Sequence, residues 1–417
     1  MDPYAMTTGV LRNPDFRRFL SSQIANEVGA NISRVALPLV AVLLLHASPV
    51  EVGVLSALQT TAFLLLGLPA GVWVDRMRRR RVMMTTDLAR FVLLGSIPVA
   101  AELGLLSIGM LFVVTLLVGV AQVFNDVADQ TYLPDVVSVQ QLSDGNSKLE
   151  VVRSGSFLAG PGLGGALVQL LGASRTMTAT ALGALASVLF LRSIKVPDKP
   201  PAVTEPAPLM RGIGEGLSFV WNDRLMRALM TTTAAMNLCV SAVTSLSVFF
   251  LVHEVELTPG LIGTLLMSGG IGGLLGGISA GWLSRRYGAA RMTWLSVIVA
   301  SPFGLLLPMT QADWRVVYFA ITSIALSWSA AVSNVGQVTY RQTVAPEGLL
   351  GRINASVRFV VWGALPLGAL LGGLIANRIG VRETLWVFMG ARLLAFLPLL
   401  FSPMPRMRDF TEVQARW

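Results

Sequence analysis

The strongest constraint on the fold is a series of about twelve apolar runs, each long enough to cross a lipid bilayer. A membrane-spanning helix needs about 20 mostly apolar residues, and only helices or closed barrels satisfy the backbone inside lipid. Only 13% of the residues are charged, against about 25% in soluble domains. We therefore predict an all-α polytopic membrane protein with twelve transmembrane helices, at residues 18–45, 52–74, 82–101, 105–128, 149–171, 173–194, 225–252, 259–283, 291–310, 314–338, 353–376 and 384–404.

One long polar gap divides these runs into six and six. The gap at residues 195–216 contains five prolines and is typical of an extended linker. The halves also repeat each other, since Gly53 recurs 210 positions later as Gly263 and Gly160 recurs 208 positions later as Gly368. The repeat predicts two pseudo-symmetric six-helix bundles. The predicted parts are an N-terminal half at 1–194, a cytoplasmic Pro-rich linker at 195–220 and a C-terminal half at 221–417.

The basic residues predict the orientation of the spans. Arginine and lysine clusters precede the first run, follow the second and eighth runs, and lie in the linker. Because cytoplasmic loops are enriched in these residues, both termini are expected in the cytoplasm and the protein in the inner cell membrane. The same clusters explain the net charge of +9 without a nucleic-acid partner. The N-terminus lacks the pattern of a cleaved signal peptide, so we expect the first span to be retained.

Motifs for catalysis or metal binding are absent from the sequence. Cys239 is the only cysteine and lies in an apolar run, which excludes an intrachain disulfide. The two histidines, His46 and His253, fall at the ends of predicted spans. No His-Glu-x-x-His motif and no Gly-Lys-Ser/Thr phosphate loop occurs, and the one Gly-x-Ser-x-Gly match, at residues 277–281, lies inside an apolar run and not at a strand-to-helix turn. We therefore expect the protein not to be an enzyme and to bind no cofactor or metal.

A basic loop follows the second apolar run, in the stretch GLPAGVWVDRMRRRR at residues 67–81. The small residues predict close packing of this helix on a neighbour. The stretch resembles the signature G-x-x-x-D-R-x-G-R-R that major facilitator transporters carry between their second and third helices. Arg78 stands where that signature has its glycine. The matching positions are Gly71, Asp75, Arg76, Arg79 and Arg80.

Other local runs are similar to the drug and siderophore exporter branch of this superfamily. The fifth apolar run contains GPGLGG, which matches the core of the antiporter signature, although Ser156 replaces an expected glycine. The resemblance implies the major facilitator fold, proton antiport in the export direction, and a role for the loop signature as a conformational latch. The antiporter positions are Gly160, Pro161, Gly164 and Gly165.

Polar and charged residues inside the first span predict a functional surface, because ionisable groups are costly there. Glu27, Asn31 and Arg34 are spaced by four and three residues, which places them on one helix face. The repeat counterparts of the first two are Asn237 and Ser241. One interpretation is a pore-facing wall in which Glu27 carries a proton. The other is an ion pair of Glu27, with Arg34 or another span, that only stabilises the bundle.

Two aspartates lie on one face of the fourth span. Asp126 and Asp129 have Asn334 and Gln337 as their repeat counterparts. A carboxylate in low dielectric holds its proton more tightly, so both aspartates are proton-coupling candidates. Alternatively, Asp126 pairs with the loop arginines in the latch. The candidates for a substrate cavity are Asn31, Arg34, Asn237, Ser241, Asn334, Gln337 and Trp362, although a tryptophan in a span more often faces lipid or the core.

Further charges lie near the predicted cytoplasmic face. Glu150, Arg153 and Arg358 are gate candidates, and ion pairs between the halves or simple snorkelling explain them equally well. Asp87 and Arg90 begin the third span and are expected to form a structural pair.

Together these features favour a secondary active transporter that exports an amphiphilic small molecule by alternating access and is coupled to protons. The expected partners are the substrate, protons and the bilayer, and a monomer suffices. A transporter of lipids or lysophospholipids on the same scaffold is the main alternative. A sensor that no longer transports is a third.

Overall fold

The computed structural model describes residues 10–198, 209–345 and 350–410. Within these residues the chain is built from α-helices joined by short turns and 3-10 segments, and no β-strand occurs there. The helices are α1 (Pro14–Leu44), α2 (Pro49–Asp75), α3 (Arg79–Glu102), α4 (Ile108–Val136), α5 (Leu142–Leu171), α6 (Ala173–Ser193), α7 (Leu209–Asn222), α8 (Arg224–His253), α9 (Pro259–Tyr287), α10 (Ala289–Ala300), α11 (Val317–Val344), α12 (Leu350–Ile379), α13 (Val381–Leu394) and α14 (Leu397–Leu400).

Eleven spans in the described part of the chain are long and apolar enough to cross a membrane. The remaining predicted span corresponds to α5, which has 30 residues but is rich in glycine and charged in its first half. The ninth span begins as α10 and continues as a 3-10 segment, Ser301–Met309, where Pro302 lacks the N–H that an α-helix requires. The all-α polytopic membrane fold predicted from the sequence is confirmed.

The chain divides into two compact units. The first unit contains the described residues of Met1–Leu45 and Leu65–Pro206, and the second contains those of His46–Leu64 and Ala207–Trp417. The sequence division places residues 46–64 in the N-terminal half, whereas here they group with the second unit. Close packing explains this grouping, since a Cβ at Gly53 would lie 2.7 Å from the Ala369 carbonyl oxygen.

The polar gap is not extended along its whole length. Residues 199–208 lie outside the described part, but the helix α7 occupies Leu209–Asn222, within the predicted linker. The prolines end at Pro208, and the apolar residues that follow recur at helical spacing, as in Leu217, Val220 and Trp221. The prediction of an extended linker is therefore wrong from Leu209 onward.

The internal repeat is visible in how α1 and α8, the first predicted span of each sequence half, begin. The Asn13 side chain caps α1 by accepting hydrogen bonds from the backbone N–H groups of Asp15 and Phe16, at 2.9 and 3.2 Å. The Asp223 side chain caps α8 by accepting from Met226 N–H at 2.6 Å. These residues are 210 positions apart, the same offset as between Gly53 and Gly263. Each cap supplies a partner for N–H groups that the helix leaves free.

Candidate functional site

The first unit holds a cluster of charges from three helices. Arg153 of α5 donates from Nη2 to Asp129 Oδ2 of α4 at 2.6 Å, and its Nε lies 3.9 Å from Glu27 Oε1 of α1. The Asp129 side chain is only 6% exposed, whereas Glu27 and Arg153 are partly accessible. The structure thus brings together two proton-coupling candidates through a residue that the sequence suggested as a gate. Nothing in the spacing of Arg153 indicates these partners.

Asp126 has a different environment from Asp129. Its Oδ1 accepts a hydrogen bond from Gln122 Nε2 on the same helix at 2.6 Å, and it forms no ion pair with any described residue. The acidic residue of α4 that binds a loop arginine is Asp135, 3.0 Å from Arg79 Nη1. The prediction that Asp126 pairs with the loop arginines is therefore wrong, because Asp126 lies more than two helical turns from the end of α4 that they reach.

The polar residues of α1 bind each other along the helix. Asn31 Nδ2 donates to the Glu27 carbonyl oxygen at 2.9 Å, and Arg34 Nη1 donates to Asn31 Oδ1 at 3.2 Å. Asn31 thus takes the position between Glu27 and Arg34, so the ion pair of Glu27 with Arg34 does not form, whereas the alternative pair with another span does, through Arg153 of α5. Arg34 is exposed and Asn31 is buried.

The corresponding polar residues of α8 are used in helix packing. Asn237 Nδ2 donates to the Val361 carbonyl oxygen at 3.0 Å, and Ser241 Oγ donates to the Leu365 carbonyl oxygen at 2.6 Å. Both acceptors are backbone carbonyl groups of α12, so these two cavity candidates bind α8 to α12.

The other candidates of the second unit are dispersed. Gln337 Oε1 accepts a hydrogen bond from Thr233 Oγ1 at 3.0 Å, and Asn334 is exposed. The Trp362 ring meets Phe63 edge to face with centroids 6.0 Å apart, and the Arg358 guanidinium lies 5.8 Å from its centroid. Trp362 thus contacts an aromatic ring and a cation, which occupy part of the surface on which a ligand would stack.

Two arginines of the loop signature contact residues of the first unit. Besides the Arg79–Asp135 pair, Arg80 Nη1 donates to the carbonyl oxygens of Ile194 and Val196, at 2.7 and 3.2 Å. Arg76 is exposed, and the Asp75 side chain lies outside the described part of the structure. A Cβ at Gly67 or Gly71 would meet no described atom within 4 Å, so the predicted close packing is not confirmed there.

The antiporter signature forms a tight helix contact. A Cβ at Gly160 would overlap Asn31 Cβ, and one at Gly164 would lie 3.1 Å from the Ile32 carbonyl oxygen. Small residues allow this approach of α5 to α1. Gly165 is buried, and Pro161 lies inside α5. The glycines thus set the distance between the helices that carry Glu27 and Arg153.

A second polar cluster lies buried beside the first. Asp87 accepts hydrogen bonds from Arg90 Nη1, Asn125 Nδ2 and Ser187 Oγ, at 3.4, 2.9 and 2.6 Å. Asn26 accepts from Arg90 and donates to Asn125 Oδ1 at 3.0 Å. The predicted structural pair of Asp87 and Arg90 is confirmed, but its three polar partners, Asn26, Asn125 and Ser187, were not predicted from the sequence. Their polarity inside apolar runs was the available signal.

The described residues contain no group of three or more His, Cys, Asp or Glu side chains placed to hold a metal ion.

These features define an all-α membrane protein with buried charges inside its spans. The family model described as Major Facilitator Superfamily matches residues 19–366. The chain belongs to the major facilitator superfamily and is a transporter, not an enzyme.

Comparison with known proteins gives the same classification. The chain is 29% identical over 400 residues to the multidrug efflux pump Tap of Mycolicibacterium fortuitum, covering 91% of this chain and 93% of that protein. It is 28% identical over 410 residues to the enterobactin exporter EntS of Shigella flexneri, covering 93% and 92%. A crystal structure of the nucleoside transporter NupG superposes with a TM-score of 0.75 at 14% identity, covering 93% of this chain and 98% of that one, and shows the fold. The resemblance to drug and siderophore exporters is confirmed.

Proposed function

We propose that the protein exports amphiphilic small molecules across the inner cell membrane by alternating access, driven by proton uptake at carboxylates of the first unit. The observation that carries this proposal is the position of Arg153 between Asp129 and Glu27. In this proposal both termini lie in the cytoplasm, because the basic loops favour that side of the membrane. A single chain suffices for this cycle.

The distribution of acidic residues supports coupling through the first unit. Its spans carry Glu27, Asp87, Asp126 and Asp129 away from their ends, in addition to the exposed Glu150 of α5, whereas the described spans of the second unit carry acidic residues only near helix ends. Ionisable groups within spans are rare and mark proton relays or substrate pathways. Because Asp87 is held by three donors, the other three carboxylates are the better candidates for exchanging protons.

Arg153 gives these carboxylates a means of changing partner. One guanidinium cannot fully neutralise two carboxylates, and the contact with Asp129 is shorter than that with Glu27, 2.6 against 3.9 Å. A proton on Asp129 removes the charge that holds Arg153 and favours its movement toward Glu27. Since a ligand shifts an equilibrium only through its different affinity for two states, protonation drives transport when the states differ in this pairing.

The relatives support export as the direction of transport. Two relatives that each cover more than 90% of this chain are named a multidrug efflux pump and an enterobactin exporter. A drug, a siderophore-like metabolite or another amphiphile is therefore the proposed substrate class. The lipid transporter considered from the sequence depends on Arg34 as a headgroup contact, and Arg34 donates to Asn31 of its own helix.

Coupling is tested in proteoliposomes with ethidium as a fluorescent amphiphilic probe. We expect an imposed pH gradient to drive ethidium movement with the unmodified protein. Glu27→Gln and Asp129→Asn should each reduce this movement to that of empty liposomes, because the amide that replaces the carboxylate cannot exchange a proton. Exchange of ethidium without a gradient should continue, since it requires no net proton movement.

The matched control is Glu102→Gln, which removes an exposed acid paired with Arg175 at 3.5 Å and should transport normally. Movement that ignores the gradient in the unmodified protein contradicts proton coupling. Competitive inhibition of ethidium exchange by lysophospholipid would favour the lipid transporter.

We further propose that Gly71, Asp75, Arg76, Arg79 and Arg80 form a latch that stabilises one state of the cycle. Arg79 and Arg80 tie the start of α3 to Asp135 of α4 and to carbonyl groups at the end of α6. These contacts fix the position of the loop that Asp75 begins.

The latch predicts that Asp75→Asn keeps the affinity for ethidium, measured by fluorescence anisotropy, and loses gradient-driven movement. Arg78→Ala, at the position where the loop departs from the family signature, should behave as the unmodified protein. Loss of ethidium binding with normal transport of other probes contradicts a latch at Asp75.

A further inference from the structure

A cavity of about 370 Å³ lies within the first unit, between α4 and α5. Apart from two leucines its lining is polar and consists of Asp129, Gln130, Asn146, Ser147, Glu150 and Arg153. Asn146 and Ser147 on α5 are exposed, and Asp129 is buried. The cavity therefore extends from accessible residues at the start of α5 to a buried carboxylate of α4.

Asp129 is only half satisfied by its protein neighbours. Its Oδ2 accepts the hydrogen bond from Arg153, and its Oδ1 is buried without a partner among the described residues. A buried acceptor that lacks a donor costs about 1–3 kcal/mol, and more when it is charged. A proton on the carboxyl group or water from the adjacent cavity removes this cost. A volume of about 370 Å³ has room for on the order of ten water molecules.

We propose that this cavity is an aqueous passage through which Asp129 exchanges its proton with the side of the membrane where α4 ends. The proton comes from cavity water and returns to it, so the step needs no other reactant. Asp129 precedes the end of α4 at Val136 by seven residues, a depth of about 10 Å along the helix. In the proposed orientation this is the cytoplasmic side.

The charged groups around Asp129 explain why the passage ends there. These groups are Glu27 on α1, Asp87 on α3, Asp126 on its own helix, and Arg153 and Glu150 on α5, of which Glu150 lines the same cavity. Asp87 is bound by Arg90 and two neutral donors. Glu27 does not line the cavity. Arg153 lies between Glu27 and Asp129.

Arg153 thus separates a carboxylate that borders the cavity from one that does not. Protonation of Asp129 through the cavity frees Arg153 for Glu27, and deprotonation draws it back. The use of this exchange in transport rests on the proposed function, whereas the exchange itself does not.

The passage is tested without a transported ligand, by infrared spectroscopy of the reconstituted full-length protein. A protonated carboxyl group has a C=O stretching band that shifts when H₂O is replaced by D₂O. We expect one such band to be present in the unmodified protein at acidic pH and to be lost in Asp129→Asn. Filling the cavity with Ser147→Trp should slow the D₂O shift of this band about tenfold, because the water chain is displaced.

Ser143→Trp is the matched control, since Ser143 lies one turn earlier on α5, is exposed and does not line the cavity. The same band should exchange in this variant at the unmodified rate. Equal rates in the two tryptophan variants would overturn the passage, as would the absence of any band that Asp129→Asn removes. Normal exchange together with transport that ignores a pH gradient would leave the passage intact and contradict only the proposed function.

Discussion

Asp87→Ala is expected to lower the free energy of unfolding by about 3–5 kcal/mol, because it leaves the Arg90 guanidinium buried without its counter-ion. Asp87 is fully buried and Arg90 is 2% exposed. The substitution also removes the acceptor for Asn125 and Ser187. The measurement is the unfolding transition of the detergent-solubilised protein, followed by tryptophan fluorescence.

The pair Asp87→Ala with Arg90→Met separates charge from hydrogen bonding. Removing both charges should recover much of the loss, since Asn26 and Asn125 still bind each other at 3.0 Å. Glu102→Ala, which breaks an exposed ion pair with Arg175, should change stability by about 0.5 kcal/mol or less. A double variant as unstable as Asp87→Ala alone would show that the polar network, and not the unpaired charge, carries the stability.

The spans were predictable because their signal is length and apolarity, which the bilayer imposes directly on the sequence. The pair of Asp87 and Arg90 was predictable for a similar reason, since residues three apart on a helix are neighbours. Both predictions use information that lies within one helix. The prediction of an extended linker was wrong after Pro208, because it relied on the prolines. The residues after Pro208 already follow a helical period.

The charged cluster could not be predicted from the sequence, because its members lie on different helices. Periodicity places Glu27 and Asn31 on one face of α1, but it gives neither the rotation of that helix against its neighbours nor the identity of the neighbours. Arg153 reaches both Glu27 and Asp129, and the sequence had suggested it only as a gate residue. For Asn237 and Ser241 the missing information was which helix lies opposite them.

Gly160→Val is expected to destabilise the first unit by about 3 kcal/mol, at the upper end of the range for overpacking. A Cβ at this position would overlap Asn31 Cβ and lie 3.3 Å from Asn31 Cα, so a backbone has to move. The same unfolding measurement checks this effect. Gly155→Val is the matched control on the same helix, because a Cβ there would meet no described atom within 4 Å while the change in helix propensity is the same.

The smaller substitution Gly160→Ala connects this packing to coupling. It adds the same overlapping Cβ, and the resulting shift between α1 and α5 changes the distance between Glu27 and Arg153, now 3.9 Å. We therefore expect a variant that still folds and exchanges ethidium but responds weakly to a pH gradient, whereas Gly155→Ala responds normally. If Gly160→Ala is as well coupled as Gly155→Ala, the glycine of the antiporter signature acts through stability alone, and the spacing of Arg153 and Glu27 does not set the coupling.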